Sequence, residues 1–332
     1  MSHKKKILIC GGTGFIGTNL MRHFSGNENY ELHAVYNKRR PFLADECNWH
    51  CCDLTNAISV RHLLSKVKPH YVVQAAATTS GMNDIVHTPA LHVTDNAVMN
   101  SYLFRLAVEH DVRHLIFFSC TVMYKSSTSP TSEEDLDENL AIHEKYFGAG
   151  HTKLYLEKMC EFYSRLGKTK FTAIRHSNIY GPYDKFDEKK SHFFGASLAK
   201  VMRSDDTVSV WGTGQEKRDL LHVDDLVSMV VAVMNNQSMS YRLYNCGLGK
   251  AYSVQEVVRL LIEISGKKLT LSFDDTKPTI DFNLVLNCDR ADQELSWRPR
   301  IDLKDGIART LDWYSQNCIH GQGGDVRGPS GV

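Results

Sequence analysis

Short apolar runs alternate with amphipathic stretches through the first half of the chain. The runs cover residues 7–10, 32–36, 71–75, 114–119 and 171–175. Uninterrupted apolar runs of this length are typical of strands buried on both faces of a parallel sheet. The stretches between them predict helices over residues 18–24, 60–66, 98–110 and around 153–163. This alternation predicts an α/β fold of the Rossmann type, built on a doubly wound parallel sheet.

Glycine and proline interrupt the second half of the chain. The segments YGPYD at 180–184 and WGTG at 211–214 break the alternation of strands and helices. We therefore expect a dinucleotide-binding domain and a smaller substrate lobe. The expected domain covers residues 1–176, with 216–247 returning to it, and the expected lobe covers 177–215 and 248–318.

Three segments beyond residue 215 have a local pattern of their own. An apolar periodicity predicts a helix near residues 224–234. Ser253 is suited to cap a second helix, and Gly266 is suited to end it. Residues 319–332 are rich in glycine without apolar periodicity, so we expect a disordered tail there.

Composition excludes several classes of function. The chain has 332 residues, of which 42% are apolar, and 39 Lys and Arg balance 38 Asp and Glu. No bulk charge favours a nucleic acid or an anionic membrane as partner. The nine cysteines include no CxxC pair, and no histidines stand at zinc spacing. Only four apolar residues follow the basic start, too few for a signal peptide or a membrane span. These features predict a cytoplasmic protein with reduced thiols and no bound metal.

A glycine-rich loop follows the first predicted strand and opens the first predicted helix. Glycines in this position let the backbone approach a pyrophosphate, and the helix N-terminus supplies unpaired N–H groups. A turn that binds no ligand is the alternative. The residues predicted to hold a dinucleotide are Gly11, Thr13, Gly14, Phe15, Ile16 and Gly17.

The second predicted strand ends without the acidic residue that usually binds the ribose 2′-hydroxyl of NAD. Asn37, Arg39 and Arg40 stand there instead, and this basic cluster suits the 2′-phosphate of NADP(H). Charges in a solvated loop are the alternative. Further cofactor contacts are predicted where later strands end, at Asp53 and Leu54 and at the small residues Ala75, Ala76 and Ala77.

Longer motifs carry a family resemblance. They are GGTGFIG at 11–17, SNIYGPYDKF at 177–186, Ser191-His192, VWGTG at 210–214, RDLLHVDD at 218–225 and Lys277-Pro278. With these motifs the chain resembles the extended short-chain dehydrogenase/reductases, and within them the GDP-fucose synthase group, over about residues 6 to 316. The resemblance implies an NADP(H)-dependent 4-ketoreductase of a nucleoside-diphosphate sugar, GDP-linked, with or without epimerisation. It also implies a homodimer. An epimerase or dehydratase that retains its cofactor, and a non-catalytic binding protein, stay open as alternatives.

The catalytic acid of that family is absent from its expected place. The family has a Tyr four residues before a Lys on one helix, where the two side chains share a face. Lys153 matches the Lys, but the position of the Tyr is occupied by Ala149, and a methyl group cannot donate a proton.

Three interpretations of this gap stay open. An engineered Tyr-to-Ala substitution, made to trap a complex, explains why the flanking motifs are intact. Alternatively the protein lacks the Tyr naturally and uses another group. Tyr146, seven residues before Lys153, shares its face but lies a turn further away. The third interpretation is a binding role without catalysis.

The family also places a Ser or Thr four residues before a Tyr, to hydrogen-bond the reacting oxygen. Counting back from Tyr124 reaches Cys120, with Thr121 next to it, and we favour Thr121 because a hydroxyl is the better donor. Val122 occupies the position of the Cys that serves the family as epimerisation base. This departure weakens the case for epimerisation more than the case for reduction.

The remaining candidates belong to the substrate side. His192 matches the family's second acid/base residue, which also contacts the cofactor, although a packed histidine is the alternative. Arg218 is expected on the diphosphate, because guanidinium binds phosphate in a bidentate manner. The other predicted substrate contacts are Asn178, Lys200, Trp211 and Lys277, each of which has a packing or solvated alternative.

Overall fold

A computed structural model describes residues 4–39, 41, 47–78, 88–137, 142–188, 191–277, 279 and 282–318. Its strands are β1 Lys5–Cys10, β2 Tyr30–Tyr36, β3 Asn48–Cys51, β4 Tyr71–Gln74, β5 His114–Ser119, β6 Pro130–Thr131, β7 Lys170–His176, β8 Asn178–Tyr180, β9 Thr207–Trp211, β10 Lys217–His222, β11 Tyr241–Cys246, β12 Ala251–Ser253, β13 Thr270–Asp274 and β14 Val285–Leu286. Its α-helices are α1 Phe15–Phe24, α2 Ala57–Val67, α3 Thr94–Glu109, α4 Phe147–Ser164, α5 Phe193–Arg203, α6 Val223–Asn236, α7 Val254–Ser265, α8 Asp289–Leu295 and α9 Leu303–Cys318. The tail expected at 319–332 lies outside the described residues.

A parallel sheet forms the centre of the molecule. Within the described residues it has seven strands in the order β11-β7-β5-β4-β1-β2-β3. The chain builds outward from β1 to β3 and then returns to place β4 on the other side of β1. This reversal is the topological switch point of a doubly wound sheet, where ligands bind at the carboxyl ends of the strands. The structure therefore confirms the predicted Rossmann-type α/β fold.

The apolar strands supply two cores, because successive side chains point to opposite faces of a sheet. In β1, Ile7 and Ile9 face a core that includes α1, α6 and α8. Leu8 and Cys10 face a second core, under α2, α3 and α4. Burial on both faces explains why this strand is apolar at every one of these positions.

Local capping sets several helix ends. The Asn56 side chain accepts hydrogen bonds from the first turn of α2, from Ile58 N at 3.0 Å and from Ser59 N at 3.1 Å. Ser253 and Glu256 form a reciprocal capping box at the start of α7. Gly266 ends that helix in the left-handed conformation, with φ of +69°. The predicted start and stop of this helix are therefore confirmed.

The smaller lobe has a core of its own, formed by α5, α7 and α9 with β9 and β10. Around it lie a three-stranded sheet, β12-β10-β8, and the parallel pair β13-β9. The segment 216–247 is divided between the two parts of the molecule. Its first strand, β10, joins the sheet of the smaller lobe, whereas α6 and β11 pack on the large sheet. Helix α8 also packs there, although 248–318 is expected in the substrate lobe.

Asp219 connects the lobes at β10. It is fully buried, and its carboxylate accepts hydrogen bonds from the backbone N–H groups of Leu248, Gly249 and Leu286 at 2.8–3.1 Å. Burial outweighs these bonds and raises the pKa of Asp219 to about 6. The three bonds hold the β11–β12 loop and β14 against β10. No helix in the described part of the chain is long and apolar enough to cross a membrane.

Candidate active site

Two close approaches shape the glycine loop between β1 and α1. Gly11 has φ of +78°, and a Cβ there would lie 2.7 Å from the backbone of Ala76. A Cβ on Gly17 would lie 2.0 Å from the carbonyl oxygen of Gly11. A Cβ on Gly14 would meet only that oxygen, at 3.3 Å. Gly14 is therefore the glycine whose outer side stays open to a ligand.

The N-terminus of α1 is prepared for an anion. Gly14 is the N-cap residue, and no side chain caps the helix. The first turn, which begins with Phe15 and Ile16, carries no acidic residue, and Thr13 is buried beside it. Unpaired N–H groups and the helix dipole favour phosphate at such an end. The loop fits the pyrophosphate of a dinucleotide.

Small residues line the switch point across from the loop. Ala75 continues from β4, and its N–H donates to the carbonyl of Cys10 at 3.1 Å. Ala76 follows at the close approach to Gly11, and Ala77 is exposed. Side chains no larger than methyl leave the crevice between β1 and β4 open. The residues expected to let the cofactor pass therefore lie where that role requires.

The end of β2 lies beside the loop that follows β3. The carboxylate in that loop, Asp53, is hydrogen-bonded within the loop itself. Asn37 is exposed and Arg39 half-buried, whereas Arg40 lies outside the described residues. Asp53 accepts hydrogen bonds from Thr55, from its N–H at 2.9 Å and its hydroxyl at 2.7 Å, and these bonds lower the pKa of Asp53. Leu54 is buried in the α2 core. Contacts within the protein therefore account for the positions of Asp53 and Leu54 without a cofactor.

Lys153 projects from α4 to the carboxyl end of β5. Its ammonium donates to the carbonyl oxygen of Phe118 at 2.7 Å. Burial lowers the pKa of Lys153, while the neighbouring Cys120 and Glu157 raise it. Ala149 is half-buried on the same helix, one turn before Lys153. Lys153 therefore reaches the carboxyl end of β5, and position 149, one turn earlier, holds only a methyl group.

The structure brings Cys120 next to Lys153. The two groups interact electrostatically, and burial raises the pKa of the Cys120 thiol despite the lysine. Thr121, which the sequence favours as hydrogen-bond donor, is buried on the next residue, and its carbonyl accepts from Tyr124 N. Both residues end β5 beside the cleft, with Val122 after them.

Sequence reasoning missed a buried ionic network behind this strand end. Glu157 and Arg175 form an ion pair at 2.6 Å, with both side chains buried. Ser119 donates to Glu157 at 2.5 Å, and Arg175 donates to the hydroxyl of Tyr124 at 2.9 Å. The network ties α4 to β5 and β7 on either side of Cys120. The clue in the sequence is the spacing of Glu157, four residues after Lys153 on one helix face.

Two histidines lie on the far side of Lys153. His192 is the exposed N-cap residue of α5. Partial desolvation by the protein around its ring lowers its pKa, and the nearby Lys185 and His92 lower it further. His176, which sequence reasoning missed, ends β7 and interacts electrostatically with both Lys153 and His192. Burial lowers the pKa of His176 to about 4. A histidine directly after a buried parallel strand was the available clue.

The substrate-side candidates fall into two groups. Arg218, on β10, donates to the carbonyl of Phe282 and lies in electrostatic contact with Tyr146 of the cleft. Asn178, at the start of the neighbouring β8, is exposed and donates to the carbonyl of Asp219 at 3.1 Å. These two residues border the cleft beside the large sheet.

The second group lies on the smaller lobe. The Lys200 ammonium stands over the ring of Trp211, 5.3 Å from its centroid, and Trp211 is 42% exposed. Lys277 follows β13 and is also exposed. An exposed indole with a cation on one face offers its other face for stacking. Among the described residues, no cluster of His, Cys, Asp or Glu is arranged to hold a metal ion.

Known proteins resemble this chain over nearly its whole length. The model of the NAD dependent epimerase/dehydratase family matches residues 7–247. GDP-L-colitose synthase of Yersinia pseudotuberculosis is 26% identical over 320 residues, which cover 93% of this chain and 97% of that protein. GDP-L-fucose synthase 1 of Arabidopsis thaliana is 29% identical over 332 residues, with 96% of each chain covered.

A solved structure shares the fold. The GDP-D-glycero-L-gluco-heptose synthase of Campylobacter jejuni, determined in the presence of NADPH, superposes with a TM-score of 0.80 at 24% identity. The match covers 95% of this chain and 99% of that protein. The large sheet and the smaller lobe therefore occur together in that fold.

Proposed function

Because the chain belongs to the NAD-dependent epimerase/dehydratase family, we propose that it is an NADP(H)-dependent reductase of a GDP-linked 4-keto sugar. The membership confirms the resemblance to the extended short-chain dehydrogenase/reductases that the motifs indicate. One observation carries the proposal. The glycine loop and Lys153 both lie at the carboxyl edge of the large sheet, and Arg218 interacts electrostatically with Tyr146, just before α4. This arrangement supports a site in which a dinucleotide and a nucleotide sugar would meet.

The choice of NADP(H) over NAD(H) rests on the end of β2. Among the described residues beside the end of β2, the carboxylate of Asp53 is already hydrogen-bonded to Thr55. Asn37 and Arg39 stand at the strand end itself, and Arg39 suits a 2′-phosphate.

The choice of a GDP-linked sugar rests on the relatives that are named for such sugars. Arg218 would bind the diphosphate, with Asn178 beside it. Trp211, with Lys200 beside it, would bind the base of the nucleotide, because an exposed aromatic ring can stack on a base.

The residues of this chain divide the work around the reacting carbonyl. When bound, the reduced nicotinamide supplies the hydride. Lys153 would hold the nicotinamide ribose, and its charge favours the negative oxygen that forms on the sugar. Cys120 or Thr121 would donate a hydrogen bond to that oxygen. His192 would close the cleft from α5.

We propose reduction without epimerisation. Epimerisation next to a ketone needs a base to remove a carbon-bound proton. Val122 offers none, and burial raises the pKa of the Cys120 thiol, which therefore stays protonated at neutral pH.

The functional test follows NADPH oxidation with GDP-4-keto-6-deoxy-mannose, and with the UDP- and dTDP-linked 4-keto-6-deoxy sugars for comparison. We expect turnover with the GDP sugar, and a product made in deuterated water that carries no deuterium at C3 or C5. The proposal fails if neither this chain nor its Ala149→Tyr variant oxidises NADPH with any of the three.

We also propose that the chain forms a homodimer through α3 and α4. Both helices lie on the surface and expose apolar side chains. The exposed apolar residues include Tyr102 on α3, Tyr155 and Phe162 on α4, and Leu166 just after it, besides Phe147 at the start of α4. An apolar stripe of this kind on a helix pair marks an interface.

A further inference from the structure

Tyr146 stands where the chain enters α4. It ends a short 3₁₀ turn, Glu144–Tyr146, and its N–H donates to the carbonyl of His143 at 2.7 Å. Seven residues separate it from Lys153, and it directly precedes the first residue of α4. Tyr146 itself is not helical, with φ of −106° and ψ of 3°. Its side chain is therefore free of the tilt that the helix imposes on the residues after it.

The Tyr146 phenol lies near both β10 and the end of β5. It lies within electrostatic range of the Arg218 guanidinium and the Cys120 thiol. Cys120 in turn lies within range of Lys153. The phenol is thus on the substrate side of Lys153, between the expected diphosphate site and the expected carbonyl site. Cys120, which follows β5, lies near both Tyr146 and Lys153.

The Tyr146 hydroxyl has no hydrogen-bond partner among the described residues, although the side chain is half-buried. Covered tyrosines ordinarily bond through their hydroxyl, as Tyr124 does to Asn245 at 2.7 Å. Burial raises the pKa of Tyr146, which therefore keeps its proton at neutral pH. A protonated, unpartnered phenol in a cleft is available to a ligand.

The first turn of α4 is closely packed on both sides of Ala149. A Cβ on Gly148 would lie 2.8 Å from the Val93 side chain, and a Cβ on Gly150 would lie 2.9 Å from Ile142. The turn therefore packs too closely for larger residues at 148 and 150. Between them, Ala149 presents only a methyl group and is half-buried. Position 149 therefore carries no group that can donate a proton.

We propose that Tyr146 is the proton donor of the reaction, in place of the missing tyrosine at position 149. This rests on the proposed reductase function. As the sugar C4 ketone gains a hydride, its carbonyl π bond becomes an oxygen lone pair, the Tyr146 O–H bond breaks, and the proton moves to that oxygen to give the C4 alcohol. Water then returns a proton to the phenolate, which Arg218 stabilises by its charge.

The histidines of the cleft are weaker candidates. A histidine is an effective acid when it is protonated, and the pKa of His192 is lowered. His176 has a pKa of about 4, and its Nδ1 donates to the carbonyl of Ser177 at 2.8 Å. At neutral pH both are neutral, whereas the phenol carries a proton that it can release.

The first experiment observes Tyr146 without cofactor or turnover. Tyrosine labelled at the ring carbon that bears the hydroxyl gives an NMR signal for each of the 14 tyrosines, and Tyr146→Phe identifies its own by loss of that signal. Adding GDP-mannose should shift the Tyr146 signal but leave that of Tyr30, which lies at the amino end of β2, at the opposite edge of the large sheet. An unmoved Tyr146 signal, while calorimetry shows that GDP-mannose binds, overturns the proposal.

The second experiment measures NADPH oxidation with GDP-4-keto-6-deoxy-mannose. Tyr146→Phe should lower kcat by roughly 10²–10³-fold, the usual contribution of a positioned acid, with unchanged affinity for GDP-mannose and NADPH. Ala149→Tyr in the Tyr146→Phe background should restore turnover. Tyr30→Phe, at the amino end of β2, is the matched control. Preserved binding shows that the Phe variant is folded.

The outcomes separate this proposal from the proposed function. If Tyr146→Phe keeps kcat within about threefold, well below the effect of a positioned acid, Tyr146 is not the donor and the function stands. If the chain is inactive and Ala149→Tyr alone activates it, the function again stands and the donor proposal fails. If neither protein turns over any 4-keto sugar nucleotide, both fail.

Discussion

Arg39 is the residue on which the choice of dinucleotide depends. It is half-buried at the end of β2, where NAD-binding folds place an acid. A hydrogen bond to a charged group is worth about 1.5–3 kcal/mol. We therefore expect Arg39→Ala to lower kcat/KM for NADPH by roughly 10- to 100-fold and to leave that for NADH nearly unchanged.

The control for Arg39→Ala is Arg298→Ala. Arg298 is exposed and pairs with Asp292 at 2.6 Å, outside the cleft. An equal loss with both dinucleotides in the Arg39 variant would show that the guanidinium does not read the 2′-phosphate.

His114 links the stability of the protein to pH. Its ring is buried, with Nε2 2.7 Å from the hydroxyl of Thr172. That hydroxyl donates to Gln237, so the imidazole must donate through Nε2. Burial lowers the pKa of His114 from 6.5 to about 3. The neutral form is therefore favoured in the folded state, and its stabilisation, complete above pH 6.5, is lost as the pH falls toward 3.

We expect His114→Gln to remove this part of the pH dependence, because the glutamine amide can donate to Thr172 without taking up a proton. On acidification the wild-type protein should lose on the order of 3 kcal/mol of unfolding free energy more than the variant. Urea unfolding at a series of pH values measures the difference. His62→Gln, at an exposed position on α2, is the control, and parallel pH curves for wild type and His114→Gln would contradict the assignment.

At the scale of elements, the junction of β1 and α1 depends on how closely the helix approaches the loop. A Cβ on Gly17 would lie 2.0 Å from the Gly11 oxygen, so Gly17→Ala must push α1 away from the site of the pyrophosphate. We expect NADPH affinity, measured by fluorescence titration, to fall by about tenfold or more, which corresponds to about 1.4 kcal/mol. Gly266→Ala is the control, because that glycine has positive φ, unlike Gly17, but nothing within 4 Å of its Cβ position. It should lose stability and keep NADPH affinity.

Elements buried on both faces were predictable, and elements at the margins were not. β1 and β5 are apolar because each separates two cores. β11 escaped notice, because its sequence YRLYNC mixes polar and apolar residues at the end of the sheet. The division of 216–247 between lobes was equally invisible, since apolar β10 residues suit either core.

Site residues could be predicted from the sequence only where they lie on one strand, one helix or the loop between them. The glycine loop lies on a single strand-to-helix unit, so its spacing predicts it. Lys153 was predicted from the family resemblance, because the Tyr that normally precedes it is absent. The approach of Lys200 to Trp211 joins α5 to β9 and depends on tertiary packing. Tyr146 appeared too distant on helical geometry, but the chain departs from helical dihedrals at that residue.

At the scale of the molecule, the exposed face of α3 and α4 predicts the assembly state. Phe162 is 50% exposed and Tyr155, seven residues earlier, is 47% exposed, so both stand on one face of α4. Tyr102 adds a third ring from α3, 37% exposed. If two copies pair through this face, Phe162→Asp places a carboxylate in the apolar centre of the interface, where an unpaired charge is strongly unfavourable.

We expect wild type to sediment as a dimer and Phe162→Asp as a monomer with its fold retained by circular dichroism. Ile58→Asp is matched in chemistry, because Ile58 is 80% exposed on α2, and it should stay dimeric. A wild-type protein that is monomeric at micromolar concentration, or a Phe162→Asp variant that stays dimeric, would place the interface elsewhere.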